Sequence, residues 1–271
     1  MVGNIPPRIS VIMGIYNCSD TLEDAVKCII DQTYPYWELI MCDDASTDRT
    51  YDVALEIALK DCRIKVLRNS ENMTLAPTLN RCLAIAQGEY IARMDGDDFC
   101  SVDRFEKEIS FLDSHPEYAF VSCNMDLADT SGVFNTIKYI EKPELKDFIH
   151  CNMHCHAAVM IRSDALKKVH GYSESIQRRR VEDYDLWVRL YKEGYCGYNI
   201  QESLYTMIDN VGAYKRRSLQ NRINESRVVF FACKNAKSHV SGYFYCLLPL
   251  IKWMTPSSVY YLKHKHKKTG E

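Results

Sequence analysis

The sequence predicts an α/β protein: a mostly parallel, Rossmann-like central sheet with helices on its faces and a helical extension at the C-terminal end. Two observations predict it. Short β-rich apolar runs alternate with segments whose apolar residues recur at helical spacing, which is the signature of βαβ units on a parallel sheet. Three of the strand ends also carry small, polar or acidic residues. In open α/β sheets, ligands bind outside the carboxyl ends of the strands.

The elements follow in order. Ile9 to Met13 is a buried strand and Gly14 to Asp20 a loop. Leu22, Ala25, Val26, Ile29 and Ile30 mark a helix, with Asp20 and Glu23 spaced as a capping box and Pro35 as its stop. Glu38 to Cys42 is the second strand, and Val53, Ala54, Ile57 and Ala58 mark the second helix. Ile64 to Leu67 is the third strand. Leu75, Leu79, Cys82, Leu83 and Ala86 form a helix that Gly88 is expected to close at its C-cap. The fourth strand, Glu89 to Met94, runs into Asp95-Gly96-Asp97-Asp98.

That acidic run is the strongest chemical signal. Three carboxylates within four residues repel one another unless something neutralises them. A divalent cation held by one or two carboxylates and a substrate diphosphate would do so, and Mg²⁺ or Mn²⁺ suits oxygen ligands. A solvated acidic turn is the plainer alternative. The topology favours the cation, because Gly14 to Asn17, Asp43-Asp44 and Asp95 to Asp98 all fall on one rim of the predicted sheet.

Composition sets the frame. The 271 residues, 46% apolar and 26% charged, suffice for a large core. A net charge of −2 gives no overall field that would recruit nucleic acid. Twelve cysteines are scattered without a Cys-x-x-Cys pair, which suits buried thiols in a reducing cytosol better than a disulfide framework. Met1 to Arg8 lacks the apolar run of a signal peptide, and no stretch approaches the ~18 apolar residues of a membrane span.

Beyond Ser101 a helix around Phe105, Ile109 and Leu112 leads to strands near Ala119–Cys123 and Val133–Ile140, then to a strand at Ala157–Arg162. The segment Arg178 to Trp187 follows. Tyr184, Trp187, Val188 and Tyr191 share a helical face, so Glu182 and Asp183 stand at a helix N-terminus. Acids there can simply cap the helix, or can do chemistry. His150, Cys151, His154, Cys155 and His156 do not have the spacing of a closed zinc site. The tail combines Tyr243 to Met254, aromatic and apolar, with Lys263, Lys265, Lys267 and Lys268. It suits a membrane interface, the reading preferred here, with a packed helix bearing a charged end as the alternative.

Taken together, five segments resemble the family 2 glycosyltransferases with the GT-A fold, of the bacterial polysaccharide type. They are Val11 to Asn17, Asp43 to Asp48, Gly88 to Asp98, His156 to Arg162 and Glu182 to Trp187, in that order along residues 8–217. The resemblance implies a nucleotide-sugar-binding half over 1–100 and an acceptor-binding half over 101–217, followed by a helical, membrane-associating tail over 218–271. It implies that Asp43 and Asp44 accept hydrogen bonds from the base, uracil by family habit, with Tyr16 and Asn17 beside it. Asp95 would meet the ribose or the metal's water shell, and Asp97 would hold Mn²⁺ or Mg²⁺ on the diphosphate, with Asp98 in support. Asp183 would be the general base of an inverting transfer from a UDP-sugar to a glycan hydroxyl, the acceptor being lipid-linked and the enzyme peripheral on the inner membrane face. The acceptor or phosphate side is expected at His156, Glu182, Trp187, Arg216 and Arg217. Two departures from the family stand out: Ala157 where relatives often have Pro, and no Arg at or near Met207. The alternative function is a non-catalytic GT-A module that binds a nucleotide-sugar or glycan; it would have no need of Asp183. A phosphohydrolase with an aspartyl nucleophile fails, because the first strand ends in Gly14-Ile15.

Overall fold

The computed structural model describes residues 6–208 and 218–254. Four strands open the chain: β1 (Ile9–Ile15), β2 (Trp37–Asp43), β3 (Ile64–Arg68) and β4 (Tyr90–Arg93). They are linked by α1 (Leu22–Ile30), α2 (Thr50–Ala58) and α3 (Leu75–Leu83). All their pairings are parallel, with Ile15 beside Asp43 and Ile12 beside Arg93. The acidic ends of β2 and β4 and the loop after β1 therefore share one rim.

The second half turns the sheet mixed. β5 (Phe99–Cys100), α4 (Arg104–Ser114), β6 (Tyr118–Asp129) and β7 (Gly132–Ile137) come first. β8 (Met160–Arg162), α5 (Ser163–Lys168), α6 (Glu182–Lys192) and β9 (Cys196–Ile208) complete it. Nine strands form one sheet in the order β3-β2-β1-β4-β8-β6-β9-β5, with β7 paired to β6. β8 runs antiparallel to both β4 and β6 and so joins the two halves. Beyond it come α7 (Leu219–Asn235) and α8 (Leu248–Met254).

Alternation along the strands builds two cores. Ile9, Val11, Met13, Trp37, Leu39 and Met41 face α1, α2 and α4 on one side. Ile12, Ile40 and Cys42 face the other side, where α3, α5, α6 and α7 bury Leu79, Leu166, Trp187 and Val228.

Several local expectations give way to tertiary detail. Asp20 does not cap α1: the N-cap is Thr21, whose Oγ1 instead donates to the carbonyl of Gly96, 2.9 Å away. Gly88 is no helix C-cap, since α3 ends at Leu83. A Cβ at Gly88 would sit 2.5 Å from the backbone nitrogen of Ser10, so the residue is glycine because β1 and the entry to β4 nearly touch. The strand expected over Ala157–Arg162 starts only at Met160, after a 3₁₀ turn at His156–Ala158.

Candidate active site

The parallel rim opens into a cavity of about 1020 Å³. Tyr16, Asn17, Asp44, Asp95 and Asp97 line it, as does the segment 72–78. A second wall comes from Ser173 to Ile176, Arg179, Arg180 and Glu182.

Each acid is positioned by its own loop. Asn17, in a left-handed turn at φ 50°, accepts from the backbone of Thr47 at 2.9 Å through Oδ1 and so ties the β1 loop to the β2 loop. Asp44 is buried and already accepts three bonds. Its Oδ1 takes Asn69 Nδ2 at 2.6 Å and the Met73 N–H at 2.7 Å, and its Oδ2 takes the Thr74 N–H at 2.9 Å. The carboxylate thus anchors the 72–74 wall, and with about four acceptor sites it retains one for a ligand. Asp43 does not reach the cavity. Its side chain is fully buried, accepts the Ser46 N–H at 3.2 Å and pairs with Arg68 at 3.3 Å, so the carboxylate expected at the base is turned away from the cavity.

Asp95 forms a two-pronged pair with buried Arg93. Arg93 is itself held from below, because fully buried Arg104 donates to its carbonyl at 3.1 Å and pairs with Glu108 at 3.0 Å. Asp98 faces inward and accepts from Tyr205 Oη and the Ile208 N–H, both at 2.9 Å, latching the end of β9 to the acidic loop. Burial, with the charges of Asp95 and Asp97 next, pushes the Asp98 carboxyl up to about 7. Burial is the larger cause of that rise, and the neighbouring carboxylates add to it. Among the described residues, no three His, Cys, Asp or Glu side chains are gathered as a protein-only metal cage. A cation here would need oxygens from a bound diphosphate, the usual arrangement for Mg²⁺.

At the head of α6, Glu182 lines the cavity, whereas half-buried Asp183 does not. Asp183 Oδ2 accepts from Asn152 Nδ2 at 2.8 Å. Burial raises the Asp183 carboxyl above its ordinary value and outweighs the helix N–H groups that oppose it. Glu182 shifts the same way, by burial and then by the charge of Asp183. His156 bonds the Tyr172 hydroxyl at 2.9 Å and is kept neutral by burial, then by Arg93. Trp187, expected on the acceptor side, is 0% exposed and stacked on Phe120 at 4.9 Å, so it packs beneath the site. Arg216 and Arg217 lie outside the described residues. The histidine-rich segment divides, with His154 buried between Asn199 and Tyr191 at 2.7 and 3.1 Å.

Sequence reasoning passed over Arg179, Arg180 and Asn152. The arginine run was visible, but no periodicity tells which of three successive arginines turns into a cavity.

These features define a sugar-transferring enzyme of the GT-A class. The sequence pattern of glycosyl transferase family 2 matches residues 10–170, and the chain belongs to that family. It is 41% identical to the protein named "Putative glycosyltransferase EpsE" of Bacillus subtilis (strain 168), over 97% of this chain and 95% of that one. It is 28% identical to WfaP of Escherichia coli, a UDP-Glc:alpha-D-GlcNAc-diphosphoundecaprenol beta-1,3-glucosyltransferase, over 90% and 94% of the two chains. In fold it resembles S. aureus TarS 1-349 in complex with UDP-GlcNAc, with a TM-score of 0.69 and 17% identity over 91% of this chain and 71% of that one. It also resembles the mannosyltransferase PcManGT of Pyrobaculum calidifontis in complex with GDP-Man and Mn2+, with a TM-score of 0.61 and 16% identity over 97% and 80%.

Proposed function

We propose that this glycosyltransferase moves a sugar, with inversion, from a UDP-sugar to a hydroxyl of a lipid-linked glycan during synthesis of a surface polysaccharide. The observation that carries the reading is one shared cavity, which brings Asp44, Asp95 and Asp97 together with Glu182, the neighbour of Asp183. Its volume of about 1020 Å³ exceeds what one small ligand fills, leaving room for donor and acceptor at once. The UDP-GlcNAc bound to TarS and the undecaprenyl diphosphate-linked acceptor named for WfaP support the choice of substrates.

The roles follow from the chemistry of each group. Tyr16, half exposed on the cavity wall, offers a flat face to the base, and Asp44 has one acceptor site left for it. Asp97 and Asp95 would hold Mn²⁺ or Mg²⁺, which would supply Lewis-acid neutralisation of the departing diphosphate. The Arg93 pair fixes the Asp95 carboxylate against rotation. Asp183 takes the proton from the acceptor hydroxyl; Asn152 orients its carboxylate, and burial makes it a stronger base than an exposed aspartate. Attack from the side away from the leaving group gives inversion. Glu182 and His156 shape the acceptor side.

A thermal-shift screen of UDP-glucose, UDP-N-acetylglucosamine and GDP-mannose with Mn²⁺ tests the reading, because only a ligand that prefers the folded state raises the melting point. A UDP-sugar should stabilise the protein with Mn²⁺ present, and Asp97→Ala should lose that response. A preference for the guanosine donor, or an undiminished response in Asp97→Ala, would contradict it.

Membrane attachment belongs to the same proposal. Val240, Phe244, Leu247, Ile251 and Met254 are more than half exposed on the C-terminal segment, beside Lys252 and ahead of the lysine-rich tail. Exposed apolar and aromatic residues next to lysines suit an anionic membrane surface. No helix among the described residues is long and apolar enough to cross a membrane.

A further inference from the structure

Three arginines in succession, Arg178, Arg179 and Arg180, precede α6, and the structure treats them differently. Arg178 turns inward: its Nε binds Asp185 Oδ1 at 2.5 Å, and Asp185 Oδ2 is held by Arg189 at 2.7 Å. Arg179 and Arg180 are exposed, line the cavity, and form no ion pair among the described residues. The nearby Glu174 already accepts from Asn80 at 2.8 Å.

This placement is built, not incidental. Asn224 of α7 is fully buried, and its Nδ2 donates to the carbonyls of both Ile176 and Arg179 at 3.0 Å. Its Oδ1 is satisfied by Gln220 at 3.0 Å and Arg227 at 3.2 Å, so the amide can point only one way. Arg180 holds a left-handed backbone at φ 68°, a conformation that disfavours any side chain bearing a Cβ. A buried polar clamp and a strained residue thus present two guanidiniums to the cavity. Guanidiniums match phosphate oxygens in two-pronged geometry.

We propose that Arg179 and Arg180 form a phosphate clamp for the acceptor, which therefore carries phosphate or diphosphate close to the hydroxyl being glycosylated. The assignment rests on the donor site lying at Asp95 and Asp97. The arginines stand three and four residues before the base Asp183, so the anion they hold belongs to the molecule that the base deprotonates. Asn224 is the positioning residue of the clamp.

The test is a thermal-shift titration with inorganic phosphate, at constant ionic strength, on protein saturated with UDP and Mg²⁺. Wild type should bind phosphate in the presence of UDP. The double variant Arg179→Ala, Arg180→Gly, whose glycine suits the left-handed backbone, should bind it at least about ten-fold more weakly. Its affinity for UDP and Mg²⁺ should stay within about two-fold of wild type, which also verifies folding. Arg179→Gln alone, with an expected several-fold loss, covers a double variant that fails to fold. Three results overturn the clamp: no phosphate binding by the UDP-loaded wild type, equal phosphate binding by wild type and variants, or a parallel loss of UDP, which would give the arginines to the donor. Arginine-dependent phosphate binding by a wild type that ignores UDP would instead sink the donor reading and, with it, the assignment of the clamp to an acceptor.

Discussion

Replacing Asp44 by alanine separates what this carboxylate does for the fold from what it does for a ligand. The side chain accepts from Asn69 Nδ2, Met73 N and Thr74 N at 2.6 to 2.9 Å, and it is only 4% exposed. A hydrogen bond to a charged group contributes about 1.5–3 kcal/mol, and a buried donor left unmade costs a similar amount. Three lost bonds would sum to well above 5 kcal/mol if nothing relaxed. Met73 and Thr74 lie in a partly exposed loop that water can enter, so about 3–5 kcal/mol is the expected loss. At roughly 2–4 °C per kcal/mol for a chain of this size, Asp44→Ala should melt about 6–20 °C below wild type by circular dichroism without any ligand. Thr74, strained at φ 75° and held by this carboxylate, should become the site of fastest amide exchange in the cavity wall. Asp44→Asn keeps one acceptor oxygen and should lose less than half as much. A melting point for Asp44→Ala within about 2 °C of wild type would refute the anchoring role and leave the aspartate to ligand binding alone.

Three further outcomes follow from the site and its surroundings. Asp183→Asn should leave donor binding near wild type while transfer falls about 10²-fold or more, because the base is lost and the fold is not. Since burial keeps the proton on Asp183 to higher pH than on an exposed aspartate, whose value is near 4, the acid limb of the wild-type rate profile should lie above that value; activity is present above the raised pKa and lost as pH falls through it. A limb at the ordinary carboxylate position, or persistent transfer by Asp183→Asn, would place the base elsewhere. For the membrane, exposed Phe244 and Trp253 can be changed to glutamine without disturbing the core, and the pair should reduce co-sedimentation with anionic vesicles; unchanged sedimentation would exclude this face.

The order of elements and the acid-bearing rim could be read from the chain, because both rest on local periodicity and on the handed geometry of parallel strands. Val11, Leu39 and Ala92 alternate with their neighbours as strands must, and once β1, β2 and β4 run parallel, Asp44 and Asp95 have nowhere to emerge but together. Tertiary packing decided the rest. Asp43 and Asp44 are adjacent and identical, yet the pleat buries the first against Arg68 and turns the second to the cavity. The family resemblance put Trp187 on the acceptor side, whereas its helical spacing with Tyr184, Val188 and Tyr191 is what the structure follows, into the core against Phe120. Gly88 looks like a helix stop and is instead a point of backbone contact with Ser10. The division of labour among Arg178, Arg179 and Arg180 depends on Asp185 and on Asn224, one of them more than forty residues away. Periodicity reports which face of an element is apolar; which polar side chain finds a partner, and which is left to face a ligand, is settled only when distant segments close around it.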